Sequence, residues 1–172
     1  MSAPNDDLAD FLQSTGLFDG VDRATLHELE PELTNVTLPD GGVLVREGNP
    51  DRNLYIVRSG RLRVSGRTPA RREPRVLFNV RRGETAGEMG LLSDDRASTT
   101  VDAAGPATVL VLSKSGFDRF AAAHPEAAHH VLQSLGRRLE THRLAVALQL
   151  GPFGFRHALG RVTGKKTDDA SR

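Results

Sequence analysis

Between residues 35 and 112 the chain alternates short β-branched segments with turn-forming residues, and this spacing limits the fold more than any other feature. The segments predicted as strands are 35–38, 43–46, 54–58, 61–64, 76–80, 99–102 and 108–112. Turn signals such as Pro39-Asp40-Gly41-Gly42 and Gly105-Pro106 separate them. Short strands that follow one another without intervening helices predict a β-sandwich or roll, and not a parallel sheet built from βαβ units.

One stretch of this region, 54–64, predicts a β-hairpin. Two apolar segments flank Ser59-Gly60, and a dipeptide of this kind is typical of the tight turn between paired strands. The tip of the hairpin is therefore expected at Ser59-Gly60.

Helical patterns occupy both ends of the chain. Residues 7–14 predict a short helix, and Asp22 predicts the N-cap of a second one. Ser115 is the expected N-cap of a C-terminal helix, and Pro125 suits the first turn of a longer helix at 126–150. One face of that helix carries side chains at a spacing of three and four residues, a seam formed by Leu132, Leu135, Leu139, His142 and Val146. The seam is suited either to covering the roll or to pairing with a second copy.

These patterns divide the chain into four parts. An N-terminal helical segment covers 1–33, and a β-roll covers 34–113. C-terminal helices cover 114–150, and Gly151-Pro152 is expected to end the long helix before a polar tail at 151–172.

Charge and cysteine content exclude several classes of protein. The chain has 23 basic and 22 acidic side chains, and this balance does not fit a protein that binds nucleic acid over its whole surface. The absence of cysteine excludes disulfides and thiolate metal sites. No apolar run approaches the roughly 20 residues that span a bilayer. We therefore expect a cytoplasmic protein without a membrane span.

The chain shows no constellation typical of an enzyme. A metal site inside a roll needs ligands on facing strands, whereas every histidine falls in a predicted helix or in the tail: His27, His124, His129, His130, His142 and His157. The chain has no Gly-x-Ser-x-Gly elbow, no P-loop and no Rossmann glycine pattern. Neither catalytic residues nor a metal are expected.

A basic cluster occupies the predicted loop 66–75. It contains one acidic residue, Glu73, and four arginines, which are Arg67, Arg71, Arg72 and Arg75. Two more arginines, Arg81 and Arg82, follow the loop. One interpretation is a mobile, solvated hairpin loop. The other is a rim that attracts anions or a protein partner. Both interpretations stay open at the level of sequence.

The segment 87–101 carries the most specific chemistry in the chain. Gly87 lets the backbone approach a ligand closely, and Glu88 accepts hydrogen bonds. Met89 begins a short turn whose amides suit an anion, and the side chains of Met89, Leu91 and Leu92 are expected in the core. An arginine and two hydroxyls follow at Arg96, Ser98 and Thr99. Together these groups are suited to holding a ribose and a phosphate.

Two motifs and the order of elements resemble the cyclic nucleotide-binding domain family. One motif runs from Arg46-Glu47-Gly48-Asn49-Pro50 through 54–60, and the other is Gly83-Glu84 followed by the cassette 87–101. The resemblance covers residues 10–150. It implies a mainly β fold with flanking helices, in which a double-stranded β-helix, or jelly-roll-like β-roll, carries short N-terminal helices, a phosphate-cassette helix and two C-terminal helices.

The same resemblance implies cAMP or cGMP as a regulatory ligand, with Glu88 accepting a hydrogen bond from the ribose. The residues that it implies for holding this ligand are Gly87, Glu88, Met89, Arg96, Ala97, Ser98 and Thr99. In the family an arginine follows a proline as the eleventh residue of the cassette, but here the eleventh residue is Ala97 and Arg96 is tenth. In a strand, a slip of one residue turns a side chain to the opposite face. In a loop, the backbone can adjust locally, which allows the Arg96 side chain to turn into the site.

Two functions follow as alternatives. The first is a non-catalytic sensor that relays nucleotide binding through its C-terminal helices to a partner in trans. The second is a degenerate member of the fold that acts as a scaffold, binding a protein or forming a homodimer through helix 126–150. Only about twenty residues follow Leu150, so no DNA-binding domain is expected in this chain. The side-chain position of Arg96 discriminates between the two functions. An inward guanidinium near Ser98 favours the sensor, and an outward one paired with Asp94 or Asp95 favours the scaffold.

Overall fold

The computed structural model describes residues 7–68 and 71–160, apart from the side chains of 68, 71 and 143–160. Its elements are, in chain order, α1 (Leu8–Ser14), α2 (Arg23–Leu29), a 3-10 turn (Glu30–Glu32), β1 (Leu33–Leu38), β2 (Val43–Val45), β3 (Asn53–Ser59), β4 (Arg61–Thr68), β5 (Arg71–Arg81), β6 (Thr85–Ala86), α3 (Glu88–Leu92), β7 (Thr100–Ala103), β8 (Ala107–Ser113), α4 (Lys114–Ala123) and α5 (Pro125–Gly160). The predicted mainly β fold with flanking helices is confirmed.

Within the described residues the strands form two antiparallel sheets of four strands each, ordered β1-β8-β3-β6 and β2-β7-β4-β5. From β1 to β4, successive strands alternate between the two sheets. This winding is that of a double-stranded β-helix, so the predicted roll is also confirmed.

The hairpin predicted at 54–64 is wrong. Strand β3 pairs with β6 and β8, whereas β4 pairs with β5 and β7, so Ser59-Gly60 is a corner between the two sheets. Gly60 has a φ of 77°. A Cβ atom there would lie 2.4 Å from the carbonyl oxygen of Pro106. The corner therefore packs directly against the turn between β7 and β8.

The predicted loop 66–75 is largely a hairpin. Strand β4 continues to Thr68 and β5 begins at Arg71, with Thr68 paired opposite Arg71. Arg67, Arg72 and Arg75 are exposed on it. Strand β5 is the last strand of its sheet. The arginines therefore decorate an edge strand, a position where charge and proline discourage pairing with further strands.

Helix α5 begins with Pro125 in its first turn, as predicted, whereas the cap of α4 and the end of α5 differ from the prediction. Ser113, and not Ser115, caps α4, because its hydroxyl accepts a hydrogen bond from the Gly116 amide at 3.1 Å. Helix α5 continues to Gly160, past the end predicted at Gly151-Pro152 and into the predicted tail. The predicted end rested on the cost of an internal proline, which removes one backbone hydrogen bond and crowds the carbonyl four residues before it.

The two central strands of the sheet β1-β8-β3-β6, which are β8 and β3, are largely buried on both faces. Leu54, Ile56, Leu110 and Leu112 pack into one core with α1, α2, α4 and α5. The alternate side chains Tyr55, Val57 and Val109 pack into a second core with the other sheet. This double burial explains why β3 and β8 are almost continuously apolar in sequence.

We predict that Gly60→Ala lowers the free energy of unfolding by about 3 kcal/mol or more, since alanine would combine a disfavoured φ with a steric clash. Gly41→Ala is the matched control, because Gly41 has a φ of 75° and open space around its Cβ position. It should cost only about 1 kcal/mol. Urea denaturation measures both, and equal losses would show that the corner contact has no energetic role.

Candidate functional site

Helix α3 is held in place by a backbone contact. Gly87, its N-cap, has a φ of 83°, and a Cβ atom there would lie 2.4 Å from the carbonyl oxygen of Asn53. Gly90 makes a similar approach, because its Cβ position is 2.8 Å from the carbonyl oxygen of Asp51. Two glycines therefore allow α3 to lie against the start of β3 at a distance that no side chain permits.

Tyr55 packs beside the contact between α3 and the start of β3. Its ring lies 3.0 Å from the Cβ position of Gly87, and its hydroxyl donates to the Asp51 carboxylate at 3.0 Å. Burial in the core raises the pKa of Tyr55 to about 12, and the negative charge of Asp51 adds to the effect. Tyr55 is thus a core residue that positions the cassette.

Glu88 is the buried acid of the site, with 5% of its surface exposed. The Thr85 hydroxyl donates to its Oε1 at 2.6 Å. From α5, the Nδ1 atom of His142 lies 3.6 Å from the same oxygen, and the His142 ring stacks on Phe78. A carboxylate on the cassette helix therefore contacts the C-terminal helix directly.

Arg96 lies on the surface. Its guanidinium donates to the Gly48 carbonyl at 3.0 Å. Neither neighbouring acid accepts it in the described structure: Asp94 pairs with Arg52, and Asp95 accepts from the Ser93 hydroxyl at 3.2 Å. The guanidinium of Arg96 thus points away from the roll, and its partner is a backbone carbonyl and not Asp94 or Asp95.

Ala97 occupies the inward position instead. It is half-buried and packs against the core of the roll. Its backbone is clamped to the loop after β2, since the Gly48 amide donates to the Ala97 carbonyl at 2.7 Å and the Ala97 amide donates to Asn49 at 2.9 Å. These two hydrogen bonds fix the register of the segment and leave little slack for Arg96 to turn inward.

The remaining cassette residues differ in exposure. Ser98 is exposed and Thr99 half-buried, with the Thr99 methyl 3.3 Å from the Cβ position of Gly66. Met89 is half-buried, and Leu91 lies in the helical core as expected. Leu92 was predicted in the core but is 40% exposed, because α3 ends there and its last side chain points past the core.

The structure brings Glu88 together with a residue that the sequence did not connect to it. His142 was predicted only as part of the helical seam, and its contact with α3 depends on how α5 crosses the roll. The available signal was the basic pair Arg138 and His142, four residues apart and hence on one face of the helix. Val146, also in that seam, lies outside the residues whose side chains are described.

A second group of potential ligands lies on the N-terminal helices. Ligand atoms of Asp7, His27 and Glu30 are all within 4.8 Å of one another. However, Asp7 already pairs with Arg23, and His27 with Glu30 at 2.9 Å. We assign these side chains to helix capping and surface ion pairs.

Among the described residues, no helix combines the length and apolar character that crossing a membrane requires.

Tyr55 offers a direct test of the described cassette support, because it is the only tyrosine and the chain has no tryptophan. Its folded-state pKa of about 12 lies above the ordinary value of 10.0. Folding should therefore be stabilised by this group below pH 10 and lose that contribution as the pH rises toward 12.

The measurement is an absorbance titration of tyrosinate. In native buffer the midpoint should lie near 12 or coincide with alkaline unfolding, and in concentrated urea it should return to about 10. A native midpoint at 10 with the fold intact would mean that the Tyr55 hydroxyl is in contact with water.

Comparison with known proteins agrees with this architecture. The family model for the cyclic nucleotide-binding domain matches residues 35–124. The CRP-like cAMP-activated global transcriptional regulator of Mycobacterium tuberculosis is 25% identical over 130 residues, which cover 76% of this chain and 58% of the relative. The cAMP-dependent protein kinase regulatory subunit of Debaryomyces hansenii is 30% identical over 110 residues, covering 64% and 23%.

A solved structure is similar over a larger share of its own length. The N-terminal domain of a transcriptional regulator from Streptomyces coelicolor A3(2) has 28% identity and a TM-score of 0.67, covering 79% of this chain and 94% of that one. The chain spans less than two thirds of the length of the two curated relatives above. Because the family match extends over more than half of its residues, the chain belongs to the cyclic nucleotide-binding domain family.

Proposed function

We propose that this domain binds a cyclic nucleotide, cAMP or cGMP, and reports its presence through α5 without catalysing a reaction. The observation that carries the proposal is the position of Glu88. It stands on α3 directly after the left-handed Gly87, where the family has its ribose-binding acid, and it contacts α5 through His142. A ligand bound at Glu88 therefore has a direct route to the helix.

Each cassette residue has a role in this proposal. Glu88 accepts a hydrogen bond from a ribose hydroxyl, while the backbone at Gly87 and Met89 lies beside the ligand. Ser98 and Thr99 donate to the cyclic phosphate. Ala97 faces the roll where the family places an arginine, and Arg96 would have to leave the Gly48 carbonyl to reach a phosphate.

The missing guanidinium sets the expected strength of binding. A hydrogen bond to a charged group contributes roughly 1.5–3 kcal/mol. At about 1.4 kcal/mol per tenfold change in Kd, its loss weakens binding by about tenfold to a hundredfold. We therefore expect binding weaker by about this factor than in a family member that has the arginine at the inward position.

The outward position of Arg96 also favours a second candidate. In a scaffold that has lost its ligand, the roll is kept for its structure, and interactions move to the β4–β5 hairpin or to α5. The names of the relatives above connect their proteins to cAMP, but the partner or output of this chain follows from none of them. A nucleotide titration separates the two candidates.

Calorimetric titration of the chain with cAMP and with cGMP should show saturable binding of at least one. Glu88→Gln should weaken that binding, because the amide replaces the charged acceptor for the ribose hydroxyl. AMP serves as the control for general affinity toward nucleotides. If neither cyclic nucleotide produces heat at high micromolar concentration, the scaffold is the better description.

Ala97→Arg should strengthen cyclic nucleotide binding by roughly tenfold or more, since it places a guanidinium at the inward position. Arg96→Ala is the matched control and should change affinity little, because Arg96 is on the surface. Calorimetry measures both, with urea unfolding as a check that the half-buried substitution is tolerated. A larger loss in Arg96→Ala than gain in Ala97→Arg would show that Arg96 swings inward.

A further inference from the structure

The carboxylate proposed to hold the ribose is closed off in this structure. The side chain of Glu88 is only 6% exposed, so a ligand hydroxyl cannot reach it unless a covering group moves. Thr85, which bonds to it, is fully buried in β6 and belongs to the interior of the roll. His142 is the more exposed cover, with 25% of its side chain accessible, and it belongs to α5.

His142 makes two contacts with the roll at once. Its Nδ1 atom faces the Glu88 Oε1 atom at 3.6 Å. Its ring stacks on Phe78 of β5, with 4.6 Å between ring centroids and an angle of 25° between planes. Both contacts strengthen when the imidazole carries a positive charge, because a carboxylate and the face of an aromatic ring each attract cations.

Arg138 fastens the same face of α5 one turn earlier. Its guanidinium donates to the carbonyl of Thr15 at the end of α1. Burial lowers the pKa of Arg138, and the negative charges of Glu88 and Glu84 act in the opposite direction. The cassette acid thus faces two basic groups of α5.

We propose that His142 and Glu88 form a latch that holds α5 closed over the site, and that a bound nucleotide competes with α5 for this carboxylate. The identity of the competitor rests on the proposed function, whereas the latch itself rests on the contacts above. The apparent affinity for the nucleotide is then reduced by the fraction of molecules that are latched.

The first experiment measures the latch without any ligand. Hydrogen exchange of the α5 amides is compared in the full chain, in His142→Ala and in His129→Ala. His129 is exposed on the same helix and contacts Gln133, so its removal controls for a general loss of helix stability. His142→Ala should raise exchange in α5 severalfold and His129→Ala should not. Equal exchange in all three proteins would overturn the latch.

The second experiment adds cAMP or cGMP. His142→Ala should bind the nucleotide roughly threefold to tenfold more tightly than the unaltered chain. Identical affinities of the two proteins would overturn the competition. Faster exchange in His142→Ala without binding to either protein would support the latch and reject the proposed ligand, so the two failures are distinguishable.

Discussion

Strands β3 and β8 have no side that faces water, and this burial on both faces constrains everything attached to them. Alternate side chains enter the helical core and the core of the roll, so a shift of one residue in register would exchange the two sets. The cassette helix follows β6, which pairs with β3. The paired strands β3 and β8 therefore position the cassette through β6 and also support the flanking helices.

The cassette is held by its backbone more than by its ligand-binding side chains. Gly87 and Gly90 lie against the carbonyls of Asn53 and Asp51, and neither contact involves a side chain proposed to bind the nucleotide. The fold can therefore keep its geometry while the phosphate-binding side chain changes. The alanine at position 97, packed into the roll with its register fixed by Gly48 and Asn49, shows this separation of structure from binding chemistry.

Local patterns predicted the strands, the roll and the cassette, because side-chain period and turn residues are properties of neighbouring positions. The corner at Ser59-Gly60 resembled a hairpin, since two apolar strands flank a turn whether they pair with each other or enter different sheets. Strand β6 has two residues, too few to show a period. The contact between Glu88 and His142 joins positions far apart in sequence, and only the path of α5 over the roll creates it.

The arginine-rich hairpin has a consequence for association between copies. Strand β5 ends its sheet, and Val76 beside the arginines is 51% exposed, so its outer half offers unpaired backbone to any extended segment. A second copy of β5 would bring Arg72 and Arg75 against like charges, while Pro74 withholds one amide. The repulsion is electrostatic and is screened by salt. Ionic strength therefore governs how well this open sheet edge resists joining another sheet.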